Sequence, residues 1–215
     1  MRNIITLVVT MLSLNIVAQQ DPEAKIILDR VSEKINTYET ITAEFEFEIE
    51  NRLENVKSKS SGKIYIKGDK YKLDSEGTTV YYDGKTMWSY MEDIKEVTIT
   101  ESNAEDADFV DNPAKIFTFY STDFKYMLKG EAKVDDKWTY EIDLFPNDLN
   151  QPYSRYKIFI DKSNDLLYHI SAIGKEGYNY SATINKADFN KQMEDSKFTF
   201  DPKTVEGIEV VDMRF

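Results

Sequence analysis

The sequence predicts a mainly β protein in which one large, curved antiparallel sheet is covered by two short amphipathic helices. Three observations favour this fold class. Apolar and charged residues alternate with a period of two over many short segments, which is typical of strands with one buried face. Turn residues such as Asp83-Gly84 separate these segments, as in a meander. Two other segments begin with Asp-Pro or Asn-Pro and continue at helical spacing.

Residues 1–18 predict a cleaved secretory signal peptide, which leaves residues 19–215 as a single domain. Arg2 makes the start cationic, residues 4–17 are mostly apolar, and Ala18 is a small residue at a suitable cleavage position. The apolar run is too short to span a bilayer comfortably, so a membrane anchor is the less favoured alternative. We therefore expect an exported, periplasmic product.

Composition excludes several classes of function. The chain contains no cysteine, which excludes disulfides, thiol nucleophiles, thiolate metal sites and the acylated cysteine of a lipoprotein. The formal net charge of the 215 residues is −12, and it becomes more negative without Arg2. Such a surface argues against nucleic acid or an anionic membrane as a partner, because both require clustered Lys and Arg. Plain solubility explains this charge most simply, and a basic partner is the alternative.

The first helix is predicted from its cap and its apolar stripe. Asp21 is a good N-cap, and Pro22 suits the first helical position, where its missing N–H would lack a partner anyway. The helix is expected to end near Asn36. Its stripe consists of Ala24, Ile27, Leu28, Val31 and Ile35. This stripe must pack on another part of the fold.

A second helix is predicted after an acidic loop. The acidic residues are Glu101, Glu105, Asp106, Asp108 and Asp111. They lack the spacing of a calcium-binding loop, so a solvated loop is favoured over a calcium site. Asn112 and Pro113 then match an N-cap and a first helical residue. The apolar residues that follow include Ile116, Phe117, Phe119 and Tyr120. Because they cannot all face water at low cost, we expect a lid or plug.

The remaining segments predict about ten strands. From Thr42, apolar residues alternate with glutamates up to Glu50, and residues 63–67 resume the alternation after a polar interruption at residues 59–62. The clearest hairpin covers residues 80–90, and Trp88 and Tyr90 share a face of its second arm. Later strands are expected at residues 124–128, 138–145, 154–161, 166–173 and 178–184.

A sheet of this size curls and surrounds a space wider than its own side chains fill, which the two helices could cover from the open side. The candidate lipid-binding residues of this cavity occupy the apolar faces of the strands and the second helix. They are Phe45, Phe47, Ile49, Ile64, Ile66, Leu73, Trp88, Tyr90, Ile116, Phe117, Trp138 and Tyr140. A dry core made by the same kind of side chains is an equally favoured alternative.

Enzymatic chemistry finds little support in the residues. His169 is the single histidine, and it lies in a predicted strand without the spacing of a catalytic triad or a metal site. The carboxylates alternate onto solvated faces, where nothing would separate their pKa values. No glycine-rich loop follows a strand to hold phosphate. We expect a binding protein without cofactor or metal, and a lipid hydrolase is the weakest alternative.

The order of the motifs resembles the outer-membrane lipoprotein carrier proteins, the LolA family. The similar segments are Gly-Lys-Ile-Tyr-Ile-Lys at 62–67, Tyr-Asp-Gly-Lys-Thr-Met-Trp-Ser-Tyr at 82–90, Asn-Pro-Ala-Lys-Ile-Phe at 112–117 and Ser-Lys-Phe-Thr-Phe-Asp-Pro at 196–202. The most specific parts are the hairpin and the Ser-Lys-Phe-Thr-Phe ending. The likeness covers nearly the whole chain after the predicted signal peptide.

The resemblance implies an incomplete antiparallel β-barrel, or half-barrel, covered by short helices over an apolar cavity. It implies a monomeric periplasmic chaperone that receives acylated lipoproteins from an inner-membrane lipoprotein-releasing ABC transporter. This chaperone would shield the acyl chains and pass the cargo to an outer-membrane receptor, if one is present. The alternative is a periplasmic binding or sensing module of the same fold for another lipid or amphiphile.

One position departs from the family pattern. Well-studied members carry an Arg just after the second strand, whose hydrogen bonds to the lid help to close it, and Gly68 stands at that position here. Lys67, Lys70 and Lys72 are candidate replacements, although a flexible ammonium does not reproduce the fork of a guanidinium. The resemblance therefore implies the cargo class more strongly than the lid mechanism.

Overall fold

A computed structural model describes residues 21–101, 112–118 and 124–214 of the chain. The predicted signal peptide, most of the acidic loop and the predicted helical residues Phe119 and Tyr120 lie outside these described residues. In the described part of the chain, no helix combines the length and the apolar content that crossing a bilayer requires.

Helix α1 spans Pro22–Ile35 and begins and ends close to the predicted positions. Asp21 accepts hydrogen bonds from the backbone N–H groups of Glu23 at 2.9 Å and Ala24 at 3.3 Å, which the first helical turn leaves without partners. The other carboxylate oxygen of Asp21 accepts a hydrogen bond from the Leu128 N–H at 3.0 Å. The cap therefore also ties the start of α1 to the sheet, onto which the apolar stripe packs.

Twelve strands of the described residues form one sheet. They are β1 Thr40–Asn51, β2 Val56–Lys67, β3 Lys70–Ser75, β4 Thr78–Tyr82, β5 Thr86–Met91, β6 Glu96–Glu101, β7 Phe124–Val134, β8 Lys137–Pro146, β9 Tyr153–Asp161, β10 Leu166–Gly174, β11 Tyr178–Phe189 and β12 Glu209–Asp212.

The sheet is open. Its strand order is β12-β6-β5-β4-β3-β2-β1-β11-β10-β9-β8-β7, so among the described strands β12 and β7 each have a neighbour on one side. With α1 and a short helix covering its concave face, this arrangement confirms the predicted mainly β half-barrel with a helical lid.

Two parts of the sheet differ from the sequence prediction. Residues 59–62, interpreted as an interruption, lie inside β2, because Lys59 faces the glutamates of β1 and pairs with Glu46 at 2.7 Å. Strand β12 was not predicted, since its four residues carry a weak pattern. It pairs with β6 in parallel, which corrects the expectation of a wholly antiparallel sheet.

The second predicted helix is a short 3-10 helix, Pro113–Phe117, called the short helix below. As predicted, Asn112 caps it: the Asn112 side-chain oxygen accepts a hydrogen bond from the Ala114 N–H at 3.1 Å. Ile116 and Phe117 are buried in the core beside β2 and β3. The short helix therefore covers part of the concave face.

The C-terminal segment, residues 190–214, covers the outer face of the sheet at β3 to β6. Phe198 of this segment is fully buried, and the ring centre of its Phe200 lies 4.9 Å from that of Tyr90 and 5.4 Å from that of Tyr81. Val97 of β6 is also fully buried, and it lies opposite Tyr90. The sheet thus has a second apolar layer on the face opposite the main core.

The predicted hairpin of residues 80–90 is confirmed as β4 and β5. Its register places Tyr82 opposite Met87 and Tyr81 opposite Trp88. Tyr82 and Met87 belong to the main core, so Trp88 and Tyr90 point to the outer layer. This register corrects their predicted cavity positions. Both faces of the hairpin carry aromatic residues, and local alternation does not reveal which of the two is concave.

Candidate functional site

The floor of the candidate site is an apolar ladder on the concave face. Ile66 of β2 lies opposite Ile41 of β1 on one side and opposite Tyr71 of β3 on the other. Tyr71 in turn lies opposite Tyr82, and the centres of these two rings are 5.3 Å apart. Residues directly opposite in a ladder share a face, so four strands contribute to one continuous apolar surface.

A row of aromatic rings continues this surface toward β9. The ring centres of Phe47 and Tyr180 lie 6.2 Å apart, those of Tyr180 and Tyr153 lie 5.9 Å apart, and those of Tyr153 and Tyr156 lie 5.4 Å apart. Phe124 of β7 makes an edge contact with Tyr156 at 5.4 Å. The aromatic row therefore crosses the concave face from β1 to β7.

A cavity of about 650 Å³ lies between the short helix, the end of α1 and the turn from β2 to β3. Ile66, Tyr82 and Phe117 provide apolar surface in it. Its polar lining residues are Asn36, Glu39, Thr40, Asp69, Asn112, Lys115 and Thr118. The volume lies in the range of pockets that hold small molecules, and the mixed lining suits a ligand with one apolar and one polar part.

A second cavity of about 350 Å³ lies between α1, the short helix and the strands β10 and β11. Tyr38 and Phe117 line both cavities, so these two rings form the partition between them. Tyr38 is held in place by stacking on Phe189, with 4.0 Å between ring centres. A displacement of Phe117 with the short helix would join the two cavities.

The floor and the smaller cavity differ in their electrostatics. Burial, with a smaller effect from Tyr82, raises the pKa of Tyr71 to about 12, so its hydroxyl stays neutral in the physiological range. The smaller cavity is lined by Lys34, Lys137 and Lys186 together with Asp161. The Lys137 ammonium lies 2.6 Å from the Asp161 carboxylate. An apolar chain on the floor could therefore end in a polar group beside these lysines.

Comparison with known families identifies the fold. Residues 14–145 match the family described as outer membrane lipoprotein carrier protein LolA, which is more than half of the chain. The chain belongs to the LolA family. This membership confirms the resemblance carried by the sequence motifs. A comparison with curated proteins found no match.

Solved structures share the fold of this LolA family protein at low sequence identity. An uncharacterized conserved protein from Thermus thermophilus is 14% identical with a TM-score of 0.58, covering 88% of this chain and 99% of that chain. A DUF1329 family protein from Desulfovibrio piger is 16% identical with a TM-score of 0.50, covering 84% and 98%. A LolA superfamily protein from Nitrosomonas europaea is 13% identical with a TM-score of 0.44, covering 82% and 97%. These identities show likeness of fold alone, and the third score carries no argument.

The position of the LolA family's lid-closing Arg lies at the larger cavity. Gly68 occupies the turn between β2 and β3 with a φ of 56°, a backbone conformation that glycine adopts without a steric penalty. It lines the cavity together with Asn112 and Ala114 of the short-helix region. The absent side chain would therefore have stood beside the short helix, as the family resemblance implies.

The three candidate replacements for that Arg make their described contacts elsewhere. Lys67 and Lys70 each lie 2.7 Å from the Asp195 carboxylate in the C-terminal segment. Lys72 lies 2.8 Å from Asp74 on its own strand. In the described residues, these lysines hold the outer layer and β3, and the prediction that one of them latches the lid is corrected.

Most of the predicted cavity residues lie together on the concave face. The buried ones are Ile64, Ile66, Ile116 and Phe117. Half-buried ones that pack on the same core are Phe45, Phe47, Leu73 and Tyr140. Ile49 lies opposite Tyr180 and extends the aromatic row. Trp138, at the beginning of β8, is 59% exposed and lies outside the core. Its predicted cavity position is wrong, because alternation predicts which face of a strand is apolar but not how far along the strand that face is buried.

Several core residues were not among the predicted cavity residues. They are Tyr38, Tyr71, Val80, Tyr82, Met87, Tyr126, Leu128, Tyr153, Tyr156, Tyr180 and Phe189. Pairing Tyr82 with Met87 across the Asp83-Gly84 turn would have placed both on one face. The contributions of β7 and β9 depend on contacts between distant segments, for which a single sequence carries no local signal.

His169 lies on the outer face, where it lines a separate cavity of about 330 Å³ and neither of the two cavities described above. Its Nδ1 is 2.8 Å from the Thr183 hydroxyl oxygen, and its Nε2 is 2.9 Å from the Ser171 hydroxyl oxygen. Burial lowers the pKa of His169 below its usual value. Both ring nitrogens are engaged by hydroxyl groups, which suits a structural role.

Proposed function

We propose that this protein is a periplasmic, monomeric carrier that binds the acyl chains of lipoproteins and shields them between the inner and the outer membrane. An inner-membrane lipoprotein-releasing ABC transporter would supply the cargo, and an outer-membrane receptor, if present, would accept it. The observation that carries the proposal is the pair of cavities that Phe117 separates on the apolar face of an open LolA family sheet.

The energetics of acyl chains explain why such a site is needed. Each buried CH₂ group contributes about 0.8 kcal/mol, so a bare triacylated lipoprotein in water would cost tens of kcal/mol. The apolar ladder under the short helix offers a surface that removes part of this cost. Reversible binding also requires release. A helix of one or two turns that buries Ile116 and Phe117 in the core, with Ala114 packed beside them, can leave at modest cost.

Identification of the bound species tests the proposal directly. The protein, purified from cells without detergent after brief chemical cross-linking, should carry acylated proteins that mass spectrometry detects as N-terminally lipidated peptides. Recovery of free lipid or glycolipid with no acylated protein would overturn the lipoprotein assignment and favour the alternative module for another amphiphile.

A charge on the cavity floor should abolish binding. Ile66→Glu places a carboxylate among acyl chains, where it cannot keep its hydration, so we expect at least a tenfold loss of lipoprotein binding. Tyr65→Glu is the matched control, because the neighbouring side chain points to the outer face, where the Lys197 ammonium lies 3.7 Å from its ring centre. Full binding by a folded Ile66→Glu protein would contradict the assignment of the site.

A further inference from the structure

Three chain reversals at one end of the sheet expose large apolar side chains. They are the β1–β2 turn, the β8–β9 loop and the β10–β11 turn. Leu53 and Leu149 are each 82% exposed, which is unusual for leucine in a folded domain. Val56 and Tyr178 beside them are exposed as well. These four residues, Leu53, Val56, Leu149 and Tyr178, are called the tip cluster below.

Hydrogen bonds join the three reversals into one platform. The Arg52 N–H donates to the Gly177 carbonyl at 2.9 Å, and the Arg52 guanidinium donates to the Gly174 carbonyl at 3.0 Å. The Lys175 N–H donates to the Pro152 carbonyl at 3.0 Å, and its ammonium donates to the Leu149 carbonyl at 2.5 Å. The exposed leucines are therefore held in fixed positions relative to each other rather than on independent loops.

The shape of the tip cluster favours a soft apolar phase over a protein groove. Leu53 packs over Gly177, where an added Cβ would lie 2.9 Å from Leu53 Cγ, so the side chain stands above the turn. The Tyr178 hydroxyl accepts a hydrogen bond from the Asn51 amide at 3.2 Å, which keeps one edge of the ring polar. Protruding leucines beside a ring with a polar edge match the depth profile of a lipid interface.

The three reversals carry no excess of positive charge. Arg52 and Lys175 are accompanied by Glu54, Asp148 and Glu176. A site for anionic lipid would require clustered Lys and Arg, and the chain as a whole has a net charge of −12. A neutral, zwitterionic lipid surface is the partner that this composition fits.

The tip cluster also lies at the end of the sheet to which the aromatic row extends. In the ladder between β1 and β11, Asn51 lies opposite Tyr178 of the tip cluster. Ile49 lies opposite Tyr180 of the aromatic row, two residues away along each strand. The short helix and the larger cavity lie at the opposite end, where β1 begins and β2 ends. An apolar surface therefore runs from the tip cluster toward the core.

We propose that the tip cluster is a docking site for the surface of a zwitterionic bilayer, into which Leu53 and Leu149 insert. Docking in this way would bring the end of the aromatic row to the membrane, where an amphiphile could pass between lipid and protein. Membrane docking does not depend on the identity of the cargo, and it can be tested on the protein without cargo.

Flotation of the protein with phosphatidylcholine vesicles tests the proposal. The Leu53→Ser/Leu149→Ser variant should lose at least tenfold in its vesicle partition coefficient. Ile26→Ser is the matched control, because Ile26 is 58% exposed on α1 and lies outside the tip cluster, and it should bind as the unchanged protein does. All three substituted side chains are exposed, so we expect both variants to keep the fold. Circular dichroism checks this.

Other outcomes would overturn the proposal. Equal partition of the double variant and the unchanged protein would exclude the two leucines as the inserting residues. An increase of tenfold or more on adding phosphatidylserine would show an electrostatic site instead. Absence of vesicle binding, with a dimer that the double variant dissociates in sedimentation, would identify the tip cluster as a contact between copies of the chain. None of these results would affect the acylated-peptide test of the proposed function.

Discussion

The ring of Phe45 lies over Gly62, the residue directly opposite it in the ladder between β1 and β2. A Cβ added to Gly62 would be only 2.5 Å from Phe45 Cζ and 2.8 Å from the carbonyl oxygen of Asp74. The absence of a side chain at Gly62 therefore lets the Phe45 ring pack directly on the backbone of β2. Gly62 is one of the few places where a single residue type is required by a close approach.

Gly62→Ala should therefore destabilise the protein by about 1–3 kcal/mol, the usual cost of overpacking, measured by urea unfolding. Adding Phe45→Ala should restore only part of the loss caused by the methyl group, because the Asp74 carbonyl still crowds it. A double-mutant cycle measures this coupling. Additive effects of the two changes would contradict the observed contact.

Asp21→Ala removes both the cap of α1 and its bond to the Leu128 N–H. We expect a loss of about 1–2 kcal/mol in the free energy of unfolding and faster amide exchange in the first turn of α1. Asp21→Asn keeps one side-chain acceptor and should lose less. An equal loss in the two variants would show that the carboxylate's charge, rather than its capping geometry, stabilises the helix.

Docking of the C-terminal segment should weaken in acid. Hydrogen bonds from Lys67 and then Lys70 lower the pKa of Asp195 from 3.8 to about 2. Because the pKa is lowered in the folded state, this stabilisation is fully present above pH 3.8 and is lost as the pH falls toward 2.

Trp88 fluorescence can report this transition, since Trp88 lies in the outer layer that the C-terminal segment covers. The unchanged protein should show an acid transition between about pH 4 and pH 2 that is smaller in Asp195→Asn. Asp212, whose pKa is also lowered to about 2 by hydrogen bonds from Arg214, contributes in the same range. The double variant Asp195→Asn/Asp212→Asn should therefore show no fluorescence transition in this pH range. A transition as large as that of the unchanged protein would show that neither carboxylate causes it.

His169 should also make the protein less stable as the pH falls, but at a higher pH than Asp195 does. Burial lowers its folded-state pKa, so its stabilisation is present above the unfolded value of about 6.5 and declines as the pH falls below it. Urea unfolding at pH 7.5 and pH 5.5 should show a smaller decline in His169→Gln. The same variant should bind lipoprotein normally, and loss of a hydrolytic activity in it would revive the hydrolase hypothesis.

The helix and most strands could be predicted because their signals are local. Asp21 and Pro22 mark the start of α1, and alternation from Phe45 to Ile49 marks β1. The family resemblance supplied the half-barrel and its lid, which periodicity alone does not specify. Local patterns failed where a distant segment decides the result: Phe200 packs on the face of the hairpin that carries Tyr90, and β12 pairs with the edge of β6.

The parallel pairing of Val97 with Val210 has a consequence for the order of folding. β6 lies before the short helix and β12 lies after every other strand, so the outer apolar layer is assembled only when the last strand is available. Until then, the edge strand β6 lacks its outer neighbour, and Val97 on β6 and Trp88 on the adjacent β5 remain uncovered, a state that is prone to aggregation. In a nascent chain of this protein, β5 and β6 therefore need protection from aggregation until β12 has been synthesised.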